Sequence, residues 1–400
     1  MAKRVRTSGR PSSDIDPTER IISVIDGEEL DRVQTLSVLL DDNPIQQVLG
    51  EPLIKDATLF FNPVARFILD RWGFKLNRLV QGVIEDMMLR TVEASVQLGY
   101  DAIWLYYEKE MMIYDSKTLI SVWGNYYDFI DDGHGNLWYM YREPAITSPE
   151  AYDAWPYFPD PDEWARKTYR FFTKALAKYG DRICIVGETP TMLYENMQDA
   201  MGFAPLAVQM RRNPDFIRRY IARIEEAAMK TTMAMMDAGV KVIMKGDDFG
   251  FKTGPVMNPK IFDEFYGPPY TRLCKAVHDR GGKILIHSCG DNTQLFDYFI
   301  KWGFDGGHAF ENTSNVDIPH EKKTHGDRFT IVGGIGVDYC LTHHSTPVEV
   351  VEATKEIIKV CAPGGRFLMA PVHSHPEMDM SKVKVMLETA WEYGKYPLRL

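Results

Sequence analysis

The chain has 400 residues, 45% of them hydrophobic and 26% charged, with a formal net charge of -10. That balance is globular, and the acidic surplus excludes a general attraction to nucleic acid or to an anionic membrane face. No run reaches the ~18 uninterrupted apolar residues of a membrane span, and five scattered cysteines suit a reducing compartment rather than a disulfide framework, so a soluble cytoplasmic protein is expected.

Residues 1–16 are short on apolar side chains and rich in Arg, Ser and Gly, and are expected to be a disordered tail before a single domain spanning 17–400. The first apolar run, "VQTLSVLL" (33–40), reads as a strand, and residues 50–95 read as helix, closing the barrel or forming an N-terminal lid. One pattern then recurs: a helical stretch, a glycine, and an apolar run ending in polar residues. "VQLGYDAIWLYY" (96–107), "MDAGVKVIMKGDD" (236–248), "DRGGKILIHSCG" (279–290) and "KWGFDGGHAFE" (301–311) all show it. Glycine just past a helix takes the left-handed conformation cheaply, and the apolar run after it suits a parallel strand buried on both faces. "DRICIVGE" (181–188), "RFTIVGGI" (328–335) and "RFLMAP" (366–371) bring the set to about eight.

Asn213–Pro214 and Ser345–Thr346–Pro347 are helix starts. Strands alternating with helices imply a parallel sheet, and about eight repeats at this length predict a (β/α)8 TIM barrel with an N-terminal helical extension. An insertion at about 108–180 separates the second and third strands. Its "TLISVWGNYYDFIDDGHGNLWYMYREP" reads as a β-hairpin, with Asp132–Gly133 and Gly135–Asn136 as turn material. Its aromatics either cover the barrel or wall an apolar, aromatic substrate pocket. "GGIGVDYC" has the wrong place and spacing for a dinucleotide loop, and no G-x-S-x-G occurs.

Active sites of this fold stand at the C-terminal ends of the strands. Those ends carry Glu188, then Asp247 and Asp248, then His287 and Cys289, then His308 and Glu311, and later Asp338, His373 and His375. Strand side chains alternate faces, so His287 and Cys289 share a direction and Ser288 points away. An imidazole and a thiolate in one coordination sphere suit Zn²⁺, whose open sites have three protein ligands and one exchangeable position. Asp248, Glu311, Glu188 and His373 are candidates for the third ligand or for contacts to substrate. Asp247 reads as a structural residue, His308 and His375 as supporting or substrate-binding residues, and the remaining cysteines as packing thiols.

Seven stretches, including "TPTMLYENMQDAMGF", "KGDDFGFKTGPVMNPKIFDEFYGPPYTRL", "ILIHSCGDN" and "GGRFLMAPVHSHPEMDMSKVKVMLE", resemble the uroporphyrinogen decarboxylase superfamily from about 17 to 397. The Arg-rich R-Q-A-G-R signature of the porphyrinogen decarboxylases is missing; the comparable region reads "LFFNPVARFILDR". His287 and Cys289 match instead the His-x-Cys of the corrinoid-dependent, zinc-binding methyltransferase branch. That resemblance implies zinc and a methyl transfer between a small substrate and the cobalamin of a partner corrinoid protein, since no carrier-type D-x-H-x-x-G is found here. Thiol-activating members take a third ligand from a P-G-C cysteine, against which Pro363–Gly364–Gly365 is set. With one thiolate fewer, the metal is expected to favour O-demethylation of a methoxylated aromatic over methylation of a thiol. The rivals are a metal-free decarboxylase, with Arg66, Arg71 and Lys252 as possible clamps, a methylcorrinoid:thiol methyltransferase, and a non-catalytic barrel with structural zinc. The sequence leaves the oligomeric state open; a homodimer is compatible with it.

Overall fold

Eight parallel strands close on themselves, and all eight apolar runs identified in the sequence supply them. They are β1 (Gln34–Ser37), β2 (Ala102–Tyr106), β3 (Cys184–Glu188), β4 (Val242–Gly246), β5 (Lys283–His287), β6 (Gly306–Phe310), β7 (Thr330–Ile335) and β8 (Phe367–Pro371). β1 pairs with both β2 and β8, which completes the cylinder. The computed structural model describes residues 4–38, 41–53, 62–107, 111–131, 137–310 and 314–399. Among the described residues no helix is long and apolar enough to cross a membrane.

The period of two sorts each strand between two apolar layers. Leu36, Ala102, Cys184, Val186, Val242, Met244, Leu285, Val332, Leu368 and Ala370 fill the interior. Ile103, Ile185, Ile243, Ile284, Ile286 and Ile331 face the surrounding helices. Helix Pro17–Ile25, started by Asp16 accepting from the Thr18 and Glu19 amides, closes the N-terminal end with Ile21, Val24 and Ile25. The interior is therefore packed solid below, and the inward register emerges at the other end as Trp104, Glu188, Gly246 and His287.

Within residues 4–16, Val5 and Arg10 make contacts with the barrel domain. Val5 N–H donates to the Gln47 carbonyl at 3.0 Å. The Arg10 guanidinium donates to the Tyr100 carbonyl at 2.9 Å and the Arg182 carbonyl at 2.8 Å. Beside it, buried Arg32 and Asp101 form an ion pair that ties β1 to β2, and Asp101 also accepts from the Thr35 amide at 3.0 Å.

The insertion is larger in strand number and shorter in sequence than one hairpin. Met111–Ile113, Thr118–Ser121, Asn125–Asp131 and Leu137–Pro144 form a four-stranded antiparallel sheet. The turn residues Asp132, Gly133, Gly135 and Asn136 lie outside the described residues. Helix Pro161–Tyr179, placed inside the insertion by sequence, is the barrel's own crossover and lies against helix Pro214–Ala238. The first crossover, Pro63–Leu98, has 36 residues, or ~54 Å at 1.5 Å per residue. Its amino-terminal part carries the sheet: the Asn77 side chain accepts from the Ile113 amide at 2.9 Å and donates to its carbonyl at 3.1 Å. Trp123 donates to the Pro190 carbonyl at 2.8 Å and Trp155 to the Val122 carbonyl at 3.0 Å, and the rings of Trp123 and Trp164 meet edge-on. These aromatics fasten the sheet to the barrel, which is the covering role.

Candidate metal centre

β5 runs apolar through Ile286 because it is buried on both faces, and turns polar at His287, where the interior opens. Two residues on, Cys289 keeps the same side. The chain then bends at Gly290, whose φ of +83° is a conformation favouring glycine. On the neighbouring strand, Asp247 and Asp248 diverge. Asp247 accepts from the Tyr194 and Glu195 amides at 2.8 and 2.7 Å and from the Tyr270 hydroxyl at 2.7 Å. It is the structural residue expected from its position. Asp248 turns to the mouth, where its Oδ1 accepts the Cys289 N–H at 2.8 Å.

The donor atoms of Asp248, His287 and Cys289 all lie within 4.8 Å of one another. His287 Nε2 stands 3.4 Å from Cys289 Sγ and 3.7 Å from Asp248 Oδ1. Tetrahedral zinc with ordinary bond lengths requires about 3.6 Å between sulfur and nitrogen ligands and about 3.4 Å between nitrogen and oxygen ligands. The three donors thus fit such an ion in both chemistry and spacing. Burial lowers the His287 pKa to about 4, with His373 adding a smaller repulsion, so the imidazole is neutral and its lone pair available. Burial also raises Asp248, against the opposing pull of Cys289; a cation beside it would reverse that shift.

The other expected site residues fall in different places. His308 is fully buried behind His287, with ring nitrogens 2.7 Å from His287 Nδ1 and 3.0 Å from the Pro371 carbonyl, so neither nitrogen is left for a substrate. Glu188 points into the barrel, but its two oxygens accept from Trp104 Nε1 at 2.7 Å and from the Gly246 amide. Burial raises its pKa, against the pull of Lys245 on the outer face of the strands. His373 sits on the rim, partly exposed, with Nε2 3.9 Å from Asp338 Oδ1. Glu311 lies outside the described residues. Trp104 was not singled out in the sequence. Its ring centroid is 4.9 Å from that of His287 and 5.7 Å from that of His308, and the inward alternation of Ala102 and Trp104 was the signal that could have found it.

The uroporphyrinogen decarboxylase family model matches residues 144–393, more than half of the chain, and spans β3 to β8 with all three donors. The chain belongs to the uroporphyrinogen decarboxylase family. A methyltransferase from Methanosarcina mazei has the same fold, with a TM-score of 0.66 and 17% identity over 95% of this chain and 99% of that one. A 3-keto-D-glucoside 4-epimerase from Escherichia coli shows a weaker likeness, with a TM-score of 0.38 and 8% identity over 76% of this chain and 94% of its own. No curated protein matches in sequence.

In this member of the uroporphyrinogen decarboxylase family, the comparison of Pro363–Gly364–Gly365 with P-G-C is overturned. That tripeptide precedes β8, at the N-terminal end of the barrel: the Gly364 amide donates to Glu29 at 2.7 Å, and a Cβ on Gly365 would stand 2.6 Å from the Gly27 carbonyl. A ligand there could never reach the mouth. The end of β8 that does reach it reads Pro371–Val372–His373, with an imidazole as the donor type. The clamps considered for a decarboxylase are also dispersed, Arg66 and Arg71 on helix Pro63–Leu98 and Lys252 in the hairpin after β4.

Proposed function

We propose that this protein is a zinc-dependent methyltransferase that takes a methyl group from a methoxylated aromatic and passes it to the Co(I) corrinoid of a partner protein. The observation that carries the reading is the convergence of one carboxylate, one imidazole and one thiol at the open end of a family barrel. Asp248, His287 and Cys289 would hold the ion, and His373, just past the end of β8, is a further strand-end imidazole at the rim. A divalent ion so held supplies Lewis acidity toward an ether oxygen. A donor set with a single thiolate preserves more of that acidity than a thiolate-rich one, which favours an oxygen-bound methyl over a thiol. The methyltransferase likeness of the Methanosarcina protein points the same way.

The chain's own residues would bind and orient the substrate. Trp104 offers an aromatic face beside His287, and Glu188 fixes the indole through its N–H. The packed interior below excludes water from that side. In the overall reaction the methyl–oxygen bond breaks with its electron pair left on oxygen, so a phenolate departs and takes a proton from solvent.

The test is a panel of methoxylated aromatics incubated with purified protein and chemically reduced free cobalamin, monitored for methylcobalamin and the matching phenol. Zinc content is measured in parallel for the native protein and for His287→Ala. Methylcobalamin formed only by the zinc-loaded native protein supports the reading. Full methylcobalamin formation without zinc would remove the metal from the reading, and CO₂ released from an acidic substrate with no methylcobalamin would replace it with the decarboxylase alternative.

A further inference from the structure

Two imidazoles and a backbone carbonyl form a line through the wall of the barrel, from β5 through β6 to β8. The Pro371 carbonyl can only accept, so His308 Nε2, 3.0 Å away, must carry a hydrogen. A neutral His308 then has a bare Nδ1. That atom is 2.7 Å from His287 Nδ1, and two lone pairs at that distance would repel, so His287 Nδ1 must carry the hydrogen between them. A neutral His287 is left with a bare Nε2. This is the nitrogen that faces Cys289 Sγ at 3.4 Å and Asp248 Oδ1 at 3.7 Å.

We propose that His308 is a positioning residue that locks His287 in its Nδ1–H tautomer and so presents the Nε2 lone pair to a divalent cation. The inference rests on the metal reading above and explains why a histidine, with no nitrogen free for substrate, occupies this inward position. Trp104 lies against both rings and hinders their rotation. Fully buried His308 has only an imidazole nitrogen and a peptide carbonyl against its ring nitrogens, with no anion bonded there to hold it as a cation, so the lock does not depend on a charged partner. An uncharged partner has a consequence for the metal. A carboxylate behind a histidine ligand raises its basicity, whereas a neutral imidazole does so less. Asp248 and Cys289 as anions already balance a divalent charge, so a neutral outer partner leaves the cation the better Lewis acid.

The experiment uses the full chain labelled with ¹⁵N-histidine and examined metal-free by long-range ¹H–¹⁵N NMR, with His287 and His308 assigned by substitution. The expected result is a protonated Nδ1 and a bare Nε2 on His287, with the reverse on His308. Zinc affinity, measured by competition with a chromogenic chelator, supplies a second readout. His308→Leu, which fills space but accepts nothing, should weaken zinc roughly 10–100-fold, as loss of a partner behind a ligand does. His308→Asn, whose amide oxygen can stand where Nδ1 stood, should stay within a few-fold of the native protein. A His287 protonated on Nε2, or unchanged affinity in a folded His308→Leu, would overturn the proposal. If the native protein binds no zinc, the metal reading falls while the NMR result still decides the tautomer.

Discussion

Replacing Gly290 by alanine tests the turn that delivers Cys289 to the donor cluster. At φ +83° an L-residue is strained, by about 1–2 kcal/mol. The added Cβ would also stand 2.5 Å from the Gly250 carbonyl carbon, 2.7 Å from its oxygen and 2.8 Å from the Phe251 nitrogen. All three are backbone atoms, and the Asp291 amide ties the two segments together by donating to the Phe251 carbonyl at 2.8 Å. Reaching an ordinary carbon contact of ~3.5 Å needs a displacement of about 1 Å, and overpacking of this kind costs about 1–3 kcal/mol. The sum predicts a loss of about 2–5 kcal/mol in stability. Because Cys289 Sγ already sits near the tetrahedral spacing from His287 Nε2, the same displacement should lower zinc affinity by at least about ten-fold. Urea unfolding of metal-free and zinc-loaded protein, with zinc content after dialysis, measures both effects. Gly281→Ala is the control: its φ is +69° but nothing lies within 4 Å of an added Cβ, so only the conformational cost should appear. If Gly290→Ala loses no more stability than Gly281→Ala and keeps its zinc, the close approach of the two glycines does not hold the cysteine in place.

Cys289→Ser and Asp248→Asn should each weaken zinc by roughly 100-fold, taking one ligand as about 3 kcal/mol of a structural site's ~10–16 kcal/mol; stoichiometric zinc retained by Asp248→Asn would remove it from the donor set. The buried histidines should make the metal-free protein acid-sensitive. His287 and His308 hold folded pKa values of about 4 and about 3, below the 6.5 of a free imidazole, so the unfolded chain binds more protons as pH falls below that value. Stability therefore falls with pH there, by about 1.4 kcal/mol per unit for each histidine. Asp247, raised to about 6 by burial, slopes the other way, so the informative comparison is native protein against His308→Asn. The variant's urea midpoint should drop less between pH 7 and pH 5, and equal drops would refute the attribution. Asp101→Ala leaves Arg32 charged and buried, which should cost about 3–5 kcal/mol; a change under 1 kcal/mol in the unfolding free energy would show that the pair contributes little.

Much of this architecture was legible because its signals are local. Apolar runs marked all eight strands, four of them behind a helix-ending glycine, and the alternation of side chains put His287 and Cys289 on one side before any tertiary contact was known. Asp247 was readable as structural for a similar reason, since a carboxylate just past a strand meets free amides. The hairpin of Asn125–Asp131 and Leu137–Pro144 was legible in the insertion, whereas Met111–Ile113 and Thr118–Ser121, which extend it, are too short for an alternation to register, and helix Pro161–Tyr179 was assigned to the insertion because composition does not show which helix closes a βα unit. The contacts of Arg10 with the carbonyls of Tyr100 and Arg182 were not legible, because it looks like any basic residue until the fold brings them together.

The sequence by itself determined the barrel, through about eight repeats of strand and helix, and the shared direction of the His-x-Cys pair, through the period of two along one strand. Only the tertiary structure decided which carboxylate joins them. Glu188 and Asp248 are equivalent as strand-end acids, but Trp104 and the Gly246 amide occupy Glu188, and the Cys289 amide turns Asp248 toward the mouth. Tertiary structure also decided that His308 is buried behind His287 with both ring nitrogens occupied, and that Pro363–Gly364–Gly365 stands at the far end of the barrel. Those outcomes depend on register between strands tens of residues apart, which no local pattern encodes.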